Sequence, residues 1–133
     1  MSKHKERASE IRKEDTTSKN CAQTILRTFA DETGLDEKLA AGLAAHFGGG
    51  MRHGGICGAV SAALMVLGAS GVESPSAATE LMRRFKERNN GLIACRDLLA
   101  ANAAAGGNKH EHCNARINDA IEILDDILER SRA

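Results

Sequence analysis

Apolar residues recur at every third or fourth position along most of this chain, and that spacing predicts helices rather than strands. The last predicted helix runs from about Glu111 to Arg130. Its apolar face consists of Cys113, Ile117, Ala120, Ile121, Leu124, Ile127 and Leu128. Another helix begins near Gly55 and is apolar on nearly every side, which is typical of a buried central helix. The pattern therefore predicts an all-α fold, a compact single-domain bundle of about five to six helices.

Capping residues and glycines set the predicted boundaries of the remaining helices. The hydroxyls of residues 16–18 offer caps for a first firm helix, which we expect to end near Thr33. A second helix starts near Asp36 and ends at a cluster of glycines. Ser74–Pro75 opens a fourth helix, because proline at the first helical position costs no hydrogen bond. A short fifth helix covers residues 92 to about 102.

The first fifteen residues, MSKHKERASEIRKED, are charged throughout and have neither an apolar core nor a cleavage site of small residues. We expect residues 1–15 to be a flexible polar segment or a loose helix, followed by one helical four-cysteine domain over residues 16–133. The longest apolar run, Ile56–Ala69, is too short to span a bilayer. These features predict a cytoplasmic protein without a secretory signal and without membrane insertion.

The composition argues against several classes of function. Positive and negative side chains balance at 18 each, so the chain has no general attraction to nucleic acid or to acidic membranes. Tyr and Trp are absent and Phe occurs three times, which argues against stacking of bases, sugars or flavins. No HExxH sequence or nucleophile elbow is present, and this argues against an ordinary hydrolase. We therefore expect no nucleic-acid partner.

Four cysteines carry the candidate chemistry: Cys21, Cys57, Cys95 and Cys113, spaced C-x35-C-x37-C-x17-C. This spacing contains no CxxC pair, so the four side chains act together only if the fold brings them together. Each lies within about a turn of a predicted helix start, where free N–H groups and the helix dipole stabilise a thiolate. Cysteine is also among the most buried residue types, so simple core packing is the alternative reading.

A cluster of glycines precedes Cys57 and is a candidate cofactor-binding turn. Glycine allows positive φ angles and close approach, and a glycine-rich turn into a helix presents N–H groups to an anion. Such an anion would be a phosphate, a thiolate or a cluster sulfide. The alternative is a tight turn that lets two helices pack closely. The glycines chosen are Gly48, Gly49, Gly50, Gly54 and Gly58.

Several short motifs together resemble a known protein family. They are NCAQ at Asn20–Gln23, FGGGM at Phe47–Met51, GxxCGA at Gly54–Ala59, CRDL at Cys95–Leu98 and the last cysteine, Cys113. The set resembles the redox-active proteins that are named for a C-GCAxxG-C-C cysteine pattern, over roughly residues 18–130. The resemblance implies a small prokaryotic helical protein whose hallmark is its four cysteines. It also implies a partner among oxidoreductases or transporter components, because genes of the family lie near such genes.

The same resemblance bears on the cofactor. Split-Soret cytochromes are relatives that combine haem with an iron–sulfur centre, so the resemblance implies that an iron–sulfur cluster is conceivable here. The chain has no CxxCH sequence, so covalent haem does not carry over. Ala62 occupies a position at which the family pattern has glycine, and we expect the packing around Cys57 to be more crowded there.

Three functions remain open from the sequence. The first is a redox or electron-transfer protein whose four cysteines either form disulfides or hold an iron–sulfur cluster, and this favours an accessory redox protein over a stand-alone enzyme. The second is a module that binds or traffics zinc or another soft metal through the cysteines, with His53 or His112 as further ligands. The third is a helical interaction subunit with inert buried cysteines, in which the apolar helices mediate a homodimer or docking.

Overall fold

The computed structural model describes residues 2–132, and over that range it consists of helices joined by short turns. Within the described residues the eight α-helices are α1 (Lys3–Lys13), α2 (Cys21–Thr28), α3 (Ala30–Thr33), α4 (Glu37–Ala44), α5 (Gly58–Ala69), α6 (Pro75–Arg88), α7 (Cys95–Ala104) and α8 (Lys109–Arg132). The segment Gly50–Gly54 forms an irregular turn before α5, in which Met51 and Arg52 have positive φ angles of 59° and 62°. No strand occurs among these residues; a single antiparallel bridge pairs Ile56 with Ala94. The all-α class is confirmed, with more helices than the five or six predicted.

Side-chain caps explain where the helices begin. Ser74 accepts a hydrogen bond from the Ala77 N–H with Pro75 at the first helical position, and Asp36 caps α4, as the sequence predicts. The first firm helix differs from its prediction. It begins at Cys21 rather than after residues 16–18, because Asn20 and Gln23 form a reciprocal capping box.

The predicted first helix is also interrupted. At Phe29 the backbone leaves helical geometry (φ −97°, ψ 17°), and the chain continues as the short helix α3. The Phe29 ring at this break is completely buried in the core. α3 then ends at Gly34, whose φ of 77° lies in the left-handed region that favours glycine.

The core forms around α5, which packs against α2, α6 and α8. Most residues of α5 are buried, in agreement with its apolar sequence. The buried face of α8 contains the predicted positions Ile117, Ala120, Ile121, Leu124, Ile127 and Leu128, together with Ile123. Within residues 2–132, no helix is both long enough and apolar enough to cross a membrane.

The N-terminal segment forms a helix. The sequence predicts a flexible polar segment or a loose helix over residues 1–15, and residues 3–13 form α1, which packs against α2 and α8; Met1, like Ala133, lies outside the described residues. α1 buries only His4, Ala8 and Ile11. One small, one polar and one apolar side chain give almost no hydrophobic periodicity, so the pattern could not reveal this helix.

Candidate functional site

Cys21 and Cys57 lie next to each other where the N-terminal ends of α2 and α5 meet. Cys21 is the first residue of α2, and Cys57 is the N-cap of α5. The neighbouring Gly58 permits this approach, since a Cβ added there would lie only 2.6 Å from the Cys21 Sγ. The Cys57 thiol donates a hydrogen bond to the Cys21 sulfur, and all four cysteines of the chain are free thiols. The structure therefore brings two of the four predicted site residues into direct contact.

The environment of Cys21 favours its thiolate. The hydrogen bond from Cys57 is the main cause that lowers the pKa of Cys21 from its ordinary value to about 6, against the opposing effect of burial. The backbone N–H groups of Gly49 and Ala22 also donate to this sulfur, and the charge of Arg12 acts in the same direction. A thiolate is the nucleophilic form of cysteine, so Cys21 is ionised near neutral pH without any added base.

Cys57 has the opposite character. Its hydrogen bond to Cys21, its burial and the negative charge of the Cys21 thiolate all raise the pKa of Cys57. The N–H groups of Ala59 and Val60 at the start of α5 also donate to the Cys57 sulfur and oppose this shift. The pair therefore shares one proton, which Cys57 holds while Cys21 carries the charge.

Cys95 and Cys113 line the same cavity but are held as thiols. Cys95 is the first residue of α7, and Cys113 is the fifth residue of α8. Burial, followed by the charge of Cys21, raises the pKa of both. All four cysteines lie within about a turn of a helix start, as the sequence predicts, and the fold converges them on one place.

The four cysteines open into a single cavity of about 450 Å³. Its lining includes the apolar side chains of Leu98 and Leu99. Cationic and imidazole side chains also line it: Arg12, Lys109, His110, His112 and Arg116. With no acidic side chain among the lining residues, the cavity has a positive electrostatic character that suits an anionic occupant.

Sequence reasoning missed Arg12, because Arg12 lies on the helix that was expected to be a flexible segment. Its guanidinium is fixed by three contacts: Nε donates to Asn114 Oδ1 at 2.7 Å, Nη1 donates to the Lys19 carbonyl at 2.8 Å, and Nη2 lies 3.3 Å from His110 Nδ1. The buried positions of α1 are His4, Ala8 and Ile11, which follow one another by four and three residues. The helical spacing of Ala8 and Ile11 is the one weak signal in the sequence that could have placed α1 on the core.

The two predicted histidine ligands, His53 and His112, lie in different parts of the structure. His112 lines the cavity, where burial and then Arg116 lower its pKa; Arg116 Nη1 donates to His112 Nδ1 at 3.1 Å. A neutral imidazole is the form that binds a metal. His53 is exposed on the glycine-rich turn and is not among the residues that line the cavity. Its assignment as a ligand stays a prediction.

The glycines divide into one that faces the cavity and four that serve packing. Gly49 lines the cavity and directs its N–H to Cys21. Gly50 has a φ of 67°, and a Cβ there would lie 2.3 Å from the Gly55 carbonyl oxygen. Added Cβ atoms at Gly48 and Gly54 would meet Asn20 and Arg96. The predicted anion-binding turn thus reduces to one donor, and the anion it contacts is the Cys21 thiolate.

Two backbone hydrogen bonds hold the segments before α5 and α7 together. The Cys95 N–H donates to the Gly55 carbonyl at 2.6 Å, and the Cys57 N–H donates to the Ile93 carbonyl at 2.9 Å. They flank the bridge between Ile56 and Ala94. This connection fixes the start of α7 beside the start of α5, so Cys95 reaches the cavity that Cys57 lines.

The fit of a metal depends on its ligand distances. A tetrahedral zinc ion holds sulfur ligands at about 2.3 Å, which requires them to lie about 3.8 Å apart. Within residues 2–132, no three cysteine or histidine side chains of the cavity bring their ligand atoms within 4.8 Å of one another. The thiols are not arranged as a closed zinc site. A cluster with several iron atoms separates its ligands more widely, and four thiols are the donor set that it requires.

Comparison with known proteins agrees with the cysteine pattern. A family model described as "Putative redox-active protein (C_GCAxxG_C_C)" matches residues 19–127, a range that includes all four cysteines. Searches of curated proteins and of solved structures found no match. The match covers α2 to most of α8, so it includes every helix that carries a cysteine of the cavity.

Proposed function

Because the chain belongs to the C_GCAxxG_C_C family of redox-active proteins, we propose that it is a dithiol–disulfide redox protein in which Cys21 is the nucleophile and Cys57 the resolving thiol. The observation that supports this assignment is the contact of the Cys21 sulfur with the start of α5, where Cys57 is the N-cap residue and lines the same cavity. The opposite pKa shifts of the two thiols, caused mainly by the hydrogen bond between them, agree with it. A single contact thereby supplies a thiolate of low pKa and a second sulfur within reach of bond formation.

The proposed reaction reduces a substrate disulfide in two exchange steps. The Cys21 thiolate attacks one sulfur of the substrate; a bond forms between Cys21 and that sulfur, and the other sulfur leaves as a thiolate. Cys57 then gives its proton to the departing thiolate and attacks the Cys21 sulfur, which releases the second substrate thiolate. The substrate gains two electrons, and the protein loses them as the Cys21–Cys57 disulfide. The amides of Ala59 and Val60 would stabilise Cys57 as it loses its proton.

The charge of the cavity supports an anionic, low-molecular-weight disulfide as the substrate class. Arg12, Lys109 and Arg116 line the cavity, and Leu98 and Leu99 add apolar surface to it. A small anionic disulfide would gain electrostatic attraction in this cavity, while a cationic one would be repelled. A reducing compartment such as the cytoplasm would return the pair to its dithiol form. We propose an oxidoreductase or a transporter component as the redox partner, and a homodimer as the assembly of the protein.

The convergence of all four cysteines on one cavity favours a second candidate, an iron–sulfur protein. Cys21, Cys57, Cys95 and Cys113 would hold the cluster, which when bound would supply one-electron transfer. Arg12, Lys109 and the Gly49 N–H would offset its negative charge. Visible absorbance together with bound iron and sulfide after anaerobic purification would support this candidate, and removing any one cysteine should then abolish most of the colour.

The dithiol proposal is tested by the pH dependence of alkylation. We expect the rate at which iodoacetamide modifies Cys21 to rise with pH around a midpoint of about 6, because only the thiolate reacts and it is lost below the pKa of Cys21. Cys57→Ala removes the hydrogen-bond donor, so its midpoint should move upwards toward the ordinary cysteine value of about 8.5. Peptide mass spectrometry identifies the modified cysteine.

Cys57→Ser is the matched control, because a serine hydroxyl still donates to Cys21 but offers no sulfur. Its midpoint should stay close to that of the unchanged protein. An alkylation midpoint near the ordinary value in the unchanged protein would contradict the proposed function. Four thiols that resist alkylation while the protein is folded would instead favour the interaction subunit with inert cysteines.

A further inference from the structure

A second cluster of side chains lies near the first turn of α1, apart from the cysteine cavity. His4 on α1 faces Asp31 and Glu32 on α3, and one ligand atom from each lies within 4.8 Å of the other two. His4 is only 7% exposed. Its Nε2 atom is buried and has no hydrogen-bond partner, which is rare for an interior polar atom.

The orientation of His4 is fixed from its other ring nitrogen. Nδ1 lies 2.8 Å from Asp125 Oδ1 on α8, so Nδ1 carries the proton and donates it to that carboxylate. The ring also stacks on Phe29, with 4.0 Å between the ring centroids. Nε2 therefore faces the carboxylates of α3, with Glu32 Oε1 at 3.6 Å. The three ligand atoms converge, and a metal ion bound between them would contact all three.

We propose that His4, Asp31 and Glu32 bind a divalent first-row metal ion. One imidazole nitrogen and two carboxylates form a common ligand set for such ions, and water would complete the coordination. Metal-binding histidines generally donate their other ring N–H to a carboxylate, which holds the tautomer and raises the basicity of the ligand nitrogen, and His4 makes this contact with Asp125.

Two neighbouring cations leave room for the ion. Arg132 hydrogen-bonds to Oε2 of Glu32, so the facing oxygen, Oε1, remains directed at His4. Lys3 approaches Asp31 and Glu32 at 3.7 and 4.0 Å, but its side chain is 72% exposed and can turn into solvent. Exposed ion pairs of this kind contribute little to stability. A metal ion would therefore displace the Lys3 ammonium at a small cost in free energy.

The position of this site gives it a structural consequence. Its ligands come from α1 and α3, and its supporting carboxylate comes from α8, so a bound ion would fasten the N-terminal helix to the rest of the protein. α1 also carries Arg12, which reaches the cysteine cavity near the other end of the helix. The proposed metal site does not depend on the cysteine chemistry.

Manganese is the probe, because thiolates select softer ions and carboxylates accept Mn²⁺. Titrating the full chain with Mn²⁺ and following the electron paramagnetic resonance signal of the free aquo ion should show one ion bound per chain. Glu32→Gln keeps the shape of the side chain and should weaken the affinity for Mn²⁺ at least about tenfold. A loss of about tenfold is already the low end for mutating a residue that only supports a metal ligand. The thermal midpoint of the unchanged protein should rise with Mn²⁺.

Glu87→Gln is the control, since it removes a carboxylate from an exposed ion pair with Arg83 on α6. It should bind Mn²⁺ as the unchanged protein does. If Glu32→Gln fails to fold, Asp31→Asn replaces it, because the Asp31 side chain is 64% exposed and its change leaves the core intact. The proposal would be overturned if adding the protein left the amplitude of the free Mn²⁺ signal unchanged, or if the ligand variants and the control bound Mn²⁺ equally. His4 would then be an imidazolium paired with two carboxylates.

Discussion

Replacing Cys21 with serine is expected to abolish the fast reaction of the reduced protein with DTNB, a small dianionic aromatic disulfide. At pH 6 a thiol of pKa about 6 is about half ionised, whereas an ordinary thiol of pKa about 8.5 is about 0.3% ionised. The weaker nucleophilicity of a low-pKa thiolate cancels roughly tenfold of that roughly 150-fold advantage. The fast phase should therefore be about tenfold faster than the reaction of an ordinary cysteine, and it should be absent from Cys21→Ser.

Counting the released thionitrobenzoate separates attack from resolution. The unchanged protein should release two equivalents in its fast phase and retain no adduct, because Cys57 resolves the mixed disulfide at Cys21. Cys57→Ser should release one equivalent and keep a thionitrobenzoate group on Cys21, which intact-mass spectrometry detects. Cys113→Ser distinguishes the two candidate functions: the dithiol mechanism keeps both equivalents in this variant, whereas a cluster held by all four cysteines loses its colour.

Substrate charge offers an independent check on the cavity. For each disulfide, the rate of reaction with Cys21 is divided by its rate with a free thiol in solution. This ratio should be smaller for cystamine, a cationic disulfide, than for DTNB, because Arg12, Lys109 and Arg116 line the cavity. Raising the salt concentration should narrow this difference, since exposed charges are screened. A fast phase that survives in Cys21→Ser would contradict the assignment of the nucleophile, and equal reactivity toward both disulfides would contradict only the substrate class.

The sequence was sufficient for the features that depend on neighbouring residues. Caps such as Asp36 and Ser74 act over three or four positions, so they reveal where helices begin. The same local signals place each cysteine near a helix start. The apolar face of α8 is predicted by the recurrence of apolar residues every three or four positions. These inferences required no knowledge of which helices touch.

Features that depend on distant segments could not be obtained in this way. Nothing near Cys21 in the sequence shows that Cys57 is its neighbour rather than Cys95 or Cys113, because that choice is made by the packing of α2 against α5. The packing of α1 on the core could not be predicted, because tertiary contacts, and not its own weak periodicity, hold it there. Arg12 was missed with it. The His4 site was invisible for the same reason, since its residues come from three helices.

Gly58 lies at the closest contact between α2 and α5. The sequence predicts it as part of a turn that binds an anion, and in the structure it adjoins the sulfur of Cys21. Its contribution, however, is the absence of a side chain: an added Cβ would lie 2.6 Å from the Cys21 Sγ and 2.6 Å from the Phe47 carbonyl oxygen. Both distances are shorter than real Cβ contacts, so residue 58 determines how closely the two cysteines approach.

Gly58→Ala is therefore expected to disturb both stability and chemistry. Overpacking of a filled interior costs about 1–3 kcal/mol, and the Phe47 carbonyl belongs to the backbone and cannot rotate away. Alanine favours a helix by about 1 kcal/mol over glycine, which offsets part of this cost. We expect a net loss of about 1–2 kcal/mol in the free energy of unfolding, measured by urea denaturation. Displacing Cys21 from Cys57 should also raise the alkylation midpoint of Cys21 above its value of about 6.

Gly68→Ala is the matched control, because Gly68 lies in the same helix and a Cβ there would meet nothing within 4 Å. This variant should gain up to about 1 kcal/mol from helix propensity and leave the alkylation midpoint unchanged. The difference between the two alanine variants isolates the contact at Gly58 from the general preference of helices for alanine. Equal stability and equal midpoints in both variants would mean that the close approach of α2 and α5 does not control the reactivity of Cys21. A lower stability with an unchanged midpoint would separate the packing of the two helices from the chemistry of the thiol pair.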